Sequence, residues 1–398
     1  MNPSYRAMVR RTFDALLDIG PRPHGSQGSE LAAEWLQNAL IELGLTVETV
    51  PFIAPKPRED DDATLVSLDG FGLSIPCKAF LETAGGVIEG PLRFHGRTYV
   101  WGIHEWKVWR IGDPQAIGYI ASRAEGPMIT QHLPEGSASL PHAVVGPDAA
   151  ESLDLLARQG AHVRLEMTTA DPPVGGVSLL AYKDRSPYEA GPARPLILGH
   201  YDTVPNTPGA YDNAAGAAAV LACAMAVADG EIDASVLVTG GEEVGLAGAR
   251  SFVRKLRDHD RLDAISLAIN LDGGGRGRQF EAWIGPERLQ EVLAGPLAET
   301  LATREGYELI YRHPAPPGSD HQAFREVGLP AVMLSVNDLE ILHTPDDVWD
   351  LDKLSNAELL AESAMAVTKS IASTALQGDS GISSHTPGIW AGGGASQS

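Results

Sequence analysis

Cysteine is scarce in this chain: Cys77 and Cys223 are the two thiols among 398 residues, far apart and in no metal-like spacing. That excludes a disulfide framework and a thiolate metal site, so any metal must be held by His, Asp and Glu. Basic residues are few as well, 30 Lys and Arg against 52 Asp and Glu, for a net charge of −22 and a pI of about 4.9. A surface of that sign repels phosphate backbones and anionic lipid, which argues against nucleic-acid and membrane partners. Long hydrophobic runs are also lacking. The longest, Ala214 to Ala228, has 15 residues, is broken by Gly216 and is mostly alanine, short of the roughly 20 apolar residues that span a bilayer. Arg6, Arg10 and Arg11 open the chain, but Asp14 and Asp18 stand where a signal peptide has its apolar segment, so a cytoplasmic protein is expected.

The remaining composition is ordinary for a globular protein, 43% hydrophobic and 21% charged, with length for two or three domains. Tyr5, Met8, Val9, Phe13, Leu16 and Leu17 recur at helical spacing up to Gly20-Pro21, and Leu31, Ala32, Trp35, Leu36 and Leu40 do so up to Gly44. These predict two amphipathic helices joined by a rigid, turn-rich stretch from Gly20 to Gly28. A strand is expected over 46–52, followed by a linker rich in proline and charge from Pro55 to Ala63. From about Thr64 to Met167 short strands prevail, ending in a helix over 148–159 and an alternation at Val163, Leu165 and Met167. Asp171-Pro-Pro-Val-Gly-Gly176 then returns the chain to the first domain. Beyond it, strands over 195–199, 235–239, 264–270 and 331–335 alternate with helices after Asn213, over 246–256 and over 356–374. The expected fold class is α/β, a mixed, mostly parallel sheet covered by helices on both faces. The domains are then residues 1–58 with 172–376, an inserted β-rich domain over 59–171, and a disordered Gly- and Ser-rich tail over 377–398.

Three of the apolar strands run straight into polar side chains: Leu196-Ile-Leu-Gly-His200, Val236-Leu-Val-Thr-Gly-Gly-Glu242-Glu243 and Ala268-Ile-Asn-Leu-Asp272. Ligands of open α/β sheets bind outside the carboxyl ends of the strands, so these groups converge without being near in sequence. Asp212, opening the helix after Pro208-Gly-Ala-Tyr211, is a fourth candidate, and His343, after the 331–335 strand, is a fifth. Imidazole and carboxylate without thiolate suit Zn2+, with Co2+ or Mn2+ as substitutes. Two histidines and three carboxylates exceed what one catalytic zinc with an open position takes, and fit two metals bridged by a carboxylate.

His200-Tyr-Asp202, Asp212-Asn-Ala-Ala-Gly216, Gly241-Glu-Glu-Val-Gly-Leu246, Asn270-Leu-Asp272, Ser319-Asp-His-Gln-Ala-Phe324 and His343-Thr-Pro-Asp-Asp347 resemble, in order, the motifs of the family 28 metallopeptidases, the co-catalytic zinc aminopeptidases. The resemblance covers roughly residues 5–55 and 175–375, and the stretch between resembles, more weakly, the protease-associated domain of several members. It implies the zinc aminopeptidase fold, with His200, Asp212 and Asp272 on one zinc and Asp212, Glu243 and His343 on the other. It further implies that Glu242 is the general base toward a metal-bridging hydroxide, that Asp202 orients the His200 imidazole, and that the Asp212–Asn213 peptide is cis. The implied substrate is a small peptide or amide with a free N-terminal residue, the inserted domain narrowing access to the site.

Blander readings stand beside these. Asp212-Asn213 also suits a helix N-cap, Glu242-Glu243 a helix N-terminus, and Asp346 and Asp347 a cap on the next segment. Asp320 and His321 suit a structural or a substrate-contacting role equally. The other histidines, His95, His104, His132 and His142 among them, read as surface or packing residues. Arg276, Arg278 and Arg312 are candidates for clamping a substrate carboxylate. His200-Tyr-Asp-Thr-Val-Pro205 also resembles the family 20 deacylases and carboxypeptidases, but here the insert precedes His200 and no lysine follows Asp212. Glutaminyl cyclases share the scaffold with a single zinc, and receptor-like relatives lose metal ligands that this chain keeps. Where family members carry an oxyanion-stabilising tyrosine, this chain has Pro314-Ala-Pro-Pro-Gly318, leaving Tyr311 or His313 for that task.

Overall fold

Tyr5, Met8, Val9, Phe13 and Leu16 all turn inward from helix α1 (Pro3–Ile19) in a computed structural model that describes residues 1–57, 63–69, 72–81, 83–100, 104–129, 140–168 and 172–371. Asn2 caps that helix by accepting a hydrogen bond from the Ser4 amide, and Gly20, at φ 83°, ends it. Each fully buried apolar side chain of this face contributes about 1.5–3 kcal/mol of transfer free energy. Helix α2 (Gln27–Glu42) is capped by Ser26 and buries Ala32, Ala33, Leu36, Ala39 and Leu40. Leu31 lies one position off that stripe and is exposed, against the sequence expectation.

The described residues fall into two compact units, one made of Met1–Lys56 with the chain from Pro173 onward, the other of Pro57–Pro172. In the first, eight strands form one mixed sheet: β1 (Thr46–Ala54), β2 (Val174–Tyr182), β3 (Arg194–His200), β4 (Ser235–Thr239), β5 (Ile265–Gly274), β6 (Gln279–Gly285), β7 (Glu308–Arg312) and β8 (Ala331–Val336). They lie in the order β1-β2-β4-β3-β5-β8-β6-β7. The four central strands, β4, β3, β5 and β8, are parallel, while β1 to β2, β2 to β4 and β8 to β6 are antiparallel.

Alternation sorts the strand residues onto two cores. Leu179, Ile197, Val236, Leu267 and Ile269 join α1, α2, α3 (Ala215–Asp229), α5 (Leu289–Leu301) and α7 (Leu351–Ile371) on one face. Leu180, Leu196, Leu198, Leu237 and Ala268 join α4 (Ala247–Asp258) and α6 (His321–Arg325) on the other. Helix α3 with its leading turn, Ala210–Asp229, is long and apolar enough to cross a membrane, yet it lies buried inside the fold. It serves as the central core helix.

Three sequence expectations shift. Strand β5 continues to Gly274, so Asp272 lies inside the strand instead of after it, because pairing with β8 resumes at Gly274 opposite Val336. Helix α7 begins at Leu351, five residues ahead of the expected 356; its first turn buries a lysine, which breaks the apolar periodicity. Strands β2, β6 and β7 and helices α5 and α6 have no counterpart in the sequence reading, their runs being short or of mixed polarity.

In the second unit eight strands, the longest of them the 15-residue Gly86–Val100, form a sheet against which the helix Pro147–Gln159 packs. Leu65, Leu92, Trp109, Ile120, Leu153 and Leu165 form its core. Trp109 donates its indole N–H to Asp154, which also receives the Lys107 ammonium. The expected disordered tail over 377–398, the linker residues 58–62, Asp171 and His132 lie outside the described residues.

Candidate active site

The parallel register delivers the first residues. His200 is the last residue of β3 and pairs with Thr239 at the end of β4, so the carboxyl ends of the two strands are level. Two residues later Gly241, at φ 67°, turns the chain into a single 3-10 turn, Glu242–Val244. A Cβ on Gly241 would stand 2.5 Å from the Phe52 ring, so the turn that presents Glu242 and Glu243 requires glycine. Asp212 sits in the irregular turn Ala210–Ala214 ahead of α3, and its peptide bond to Asn213 is cis, as the resemblance implies. Helix α3 can bring that turn close to β5 because Gly216 carries no Cβ; one there would lie 2.1 Å from the Leu271 carbonyl oxygen. His343 comes from the loop after β8 and has a positive φ of 58°.

These side chains meet. His200 Nε2 lies 3.1 Å from Asp212 Oδ1 and 3.4 Å from Asp272 Oδ1. His343 Nε2 lies 3.2 Å from Asp212 Oδ2 and 3.4 Å from Glu243 Oε2. Asp212 therefore turns one carboxylate oxygen to each imidazole. Glu242, whose carboxylate approaches the same His200 and Asp272, stands at the edge of the first group. Of the five expected ligands, four are buried and Asp272 is nearly so.

A divalent ion fits these donors. Two ligand atoms on one tetrahedral zinc, each about 2.0–2.2 Å from it, stand roughly 3.3 Å apart, and all four separations are of that size. His200 Nε2 is buried without a hydrogen-bond partner, although it faces two carboxylates. Asp202, Asp212, Glu242, Glu243, Asp272 and Asp320 gather about two imidazoles, an excess of buried negative charge that cations must offset. Without a metal the protons respond. Burial opposes a charged ring at both histidines, but Glu242 and Asp272 around His200, and Glu243 and Asp212 around His343, hold both well above the usual histidine range. Asp212, despite its burial, is held below the usual carboxylate range by the two imidazoles.

Hydrogen bonds fix the carboxylates. Asn270 donates to the Ser319 hydroxyl at 2.6 Å, and Ser319 donates to Asp272 Oδ2, leaving Oδ1 for His200. The Asp202 carboxylate accepts the main-chain N–H groups of Glu242 and Glu243, both at 3.2 Å. Toward the imidazole, Asp202 presents its carbonyl oxygen 3.1 Å from His200 Nδ1 and its carboxylate Oδ1 3.6 Å from the same atom, so it touches both the ring and the Glu242-Glu243 turn. Asp347, expected as a cap on the next segment, is buried and accepts instead from the main-chain amides of Tyr211 and Asp212 and from the Lys353 ammonium; Asp346 is exposed.

Two further residues bear on the site: Arg22, which the sequence does not single out, and Asn213, which it shows only as the neighbour of Asp212. Arg22, fully buried, donates to the carbonyls of Leu16, Gly20, Tyr201, Pro208 and Gly209, and burial lowers its pKa to about 10. Asn213 bonds the Leu271 carbonyl and the Gly273 amide, on either side of Asp272.

The remaining candidates are placed as follows. Asp320 is buried against Thr239, which donates to it, and burial pushes its carboxyl up to about 7. His321 is a packing residue: its Nε2 meets the Pro316 carbonyl at 2.9 Å, its ring lies edge-on to Trp283, and burial lowers its pKa to about 3. Each of the three arginines is already engaged, Arg276 by Asp338, Arg278 by Asp352 and Arg312 by Glu281. His313 is partly exposed, 3.9 Å from Glu287, and the half-buried Tyr311 has its hydroxyl buried without a hydrogen-bond partner.

Residues 185–368 match the model of peptidase family M28. Aminopeptidase YwaD of Bacillus subtilis is 25% identical over 160 residues, which are 38% of this chain and 35% of that protein. The chain matches about a third or less of the length of the first curated relatives. The structure of an aminopeptidase from Aneurinibacillus sp. strain AM-1 superposes with a TM-score of 0.68 at 18% identity, covering 96% of both chains. BSAP, a zinc aminopeptidase from Bacillus subtilis, gives 0.64 at 20% identity over 91% of this chain and 94% of its own. At such identities the likeness is one of fold.

Proposed function

Because the chain carries a peptidase family M28 domain, we propose that it is a zinc-dependent hydrolase of amide bonds, an aminopeptidase releasing free N-terminal residues from small peptides. The observation that carries this reading is the single Asp212 carboxylate standing 3.1 and 3.2 Å from the two imidazoles. His200, Asp212 and Asp272 would hold one zinc, and Asp212, Glu243 and His343 the other. Zinc bound there, or cobalt or manganese in its place, would supply Lewis acidity toward a carbonyl oxygen and toward water. The protein's own groups do the rest. Glu242 accepts the proton of the attacking water and returns it to the leaving amine, and Asp202, through the two amides it accepts, keeps that carboxylate aimed.

The free amino terminus is favoured by charge. An ammonium is attracted to a site crowded with Glu242, Glu243, Asp272 and Asp320, while a substrate carboxylate would need a cationic partner, and Arg276, Arg278 and Arg312 are each tied to an acid. This argues against the carboxypeptidase and N-acyl amidohydrolase readings. Two ligand groups sharing one carboxylate argue against a single-zinc cyclase.

An amino-acid anilide and its N-acetylated form, assayed side by side, test the assignment. The free amine is expected to be hydrolysed at least tenfold faster in kcat/KM. Preference for the blocked compound would replace the aminopeptidase by an N-acyl amidohydrolase on the same residues.

A further inference from the structure

Asp347 follows His343 by four residues and its N–H stays within that loop, donating to the Thr344 carbonyl, yet its carboxylate bonds to other segments. Three consecutive main-chain amides of the Asp212 turn point at it: Ala210 N–H donates to its carbonyl oxygen at 3.2 Å, Tyr211 N–H to Oδ1 at 2.8 Å and Asp212 N–H to Oδ2 at 3.1 Å. Lys353, in the first turn of α7 and 1% exposed, completes the set. Its ammonium donates to Asp347 Oδ1 at 2.8 Å and to the Val348 carbonyl at 2.7 Å. The buried ion pair thus joins the loop that carries His343 to the turn that carries Asp212.

We propose that the Lys353–Asp347 pair is a positioning device for the second metal site: it sets the separation of His343 and Asp212, and so the affinity of the ion that these two share with Glu243. The inference rests on the two-zinc reading. The consequence is asymmetric. The His200 side has its own anchors, Asn213 spanning from the Asp212 turn to the main chain on both sides of Asp272, and Ser319 on Asp272 itself. On the other side, the loop that carries His343 is joined to the Asp212 turn by the three amides that Asp347 receives and by the Tyr211 hydroxyl, which donates to Asn337 at 3.3 Å. A buried pair of opposite charges is seldom a net source of stability. Its value here is geometric, since both carboxylate oxygens are needed to receive two successive amides.

The test is zinc titration against a chromophoric chelator, with the double variant Asp347→Asn/Lys353→Met beside the parent. The variant removes both charges at nearly constant volume and puts an amide NH2 where one main-chain N–H now donates. The first zinc equivalent is expected to bind within about threefold of the parent, and the second about 10- to 100-fold more weakly, the usual effect of losing a partner that orients a ligand. Equal binding of both equivalents would overturn the proposal, as would equal weakening of both, which marks a general loss of structure. If the double variant does not fold, Lys353→Gln, which keeps the carboxylate and a neutral donor, is read in its place. A threefold or greater loss confined to the second equivalent supports the pair's role, and none overturns it. A parent that itself binds fewer than two equivalents would overturn the two-zinc reading instead, so the two failures are distinct.

Discussion

Replacing Glu242 by Gln is expected to lower kcat about 10²- to 10⁴-fold, the span typical of a lost general acid–base group, while both zinc equivalents stay bound. The side chain is buried beside His200 and Asp272, and the substitution preserves its shape while removing the ability to accept a proton at pH 7. KM should change little, because the same volume lines the site. Metal content measured on the same sample separates this outcome from a damaged site. A Gln variant that turns over within threefold of the parent would remove Glu242 from the mechanism, and one that loses zinc would make it a ligand.

The largest effect on stability is expected at Arg22→Met. The guanidinium holds five main-chain carbonyls within 2.7 to 3.1 Å, and its own amide donates to Thr203 at 2.9 Å. Methionine keeps the stem and strands those oxygens in the interior. Leaving a buried polar network without its centre costs about 3–5 kcal/mol, read as a drop in the denaturant midpoint of the metal-stripped protein. Arg22→Lys should restore little of it, since one ammonium cannot span the fork's partners. Because Tyr201 adjoins His200 and Asp202, and Gly209 adjoins the Asp212 turn, a weaker hold on zinc should accompany the loss. A midpoint shift worth under about 1 kcal/mol would mean that water replaces the guanidinium.

These two residues mark what the sequence discloses. His200, Glu242, Glu243 and Asp272 are legible because an apolar strand ending in a ligand is a local pattern, and parallel strands bring their carboxyl ends together whatever the loop lengths. Asp212 and His343 are legible by motif. Arg22, Asn213 and Asp347 act on main-chain atoms distant in sequence, which leave no mark in side-chain spacing, and Lys353 acts through Asp347. Lys353 even disguises the start of α7, since a lysine reads as surface until its buried partner is known. The reading of Asp347 as a cap fails for the same reason: the amides it serves belong to residues 210–212.

Metal content decides the central claim most directly. The purified protein, saturated with zinc, freed of loosely held ions and analysed for metal per chain, should carry close to two equivalents. Its activity should disappear with a chelator and return with zinc or cobalt. One tightly held equivalent after saturation would contradict the shared Asp212 site and move the chemistry to a single-metal center.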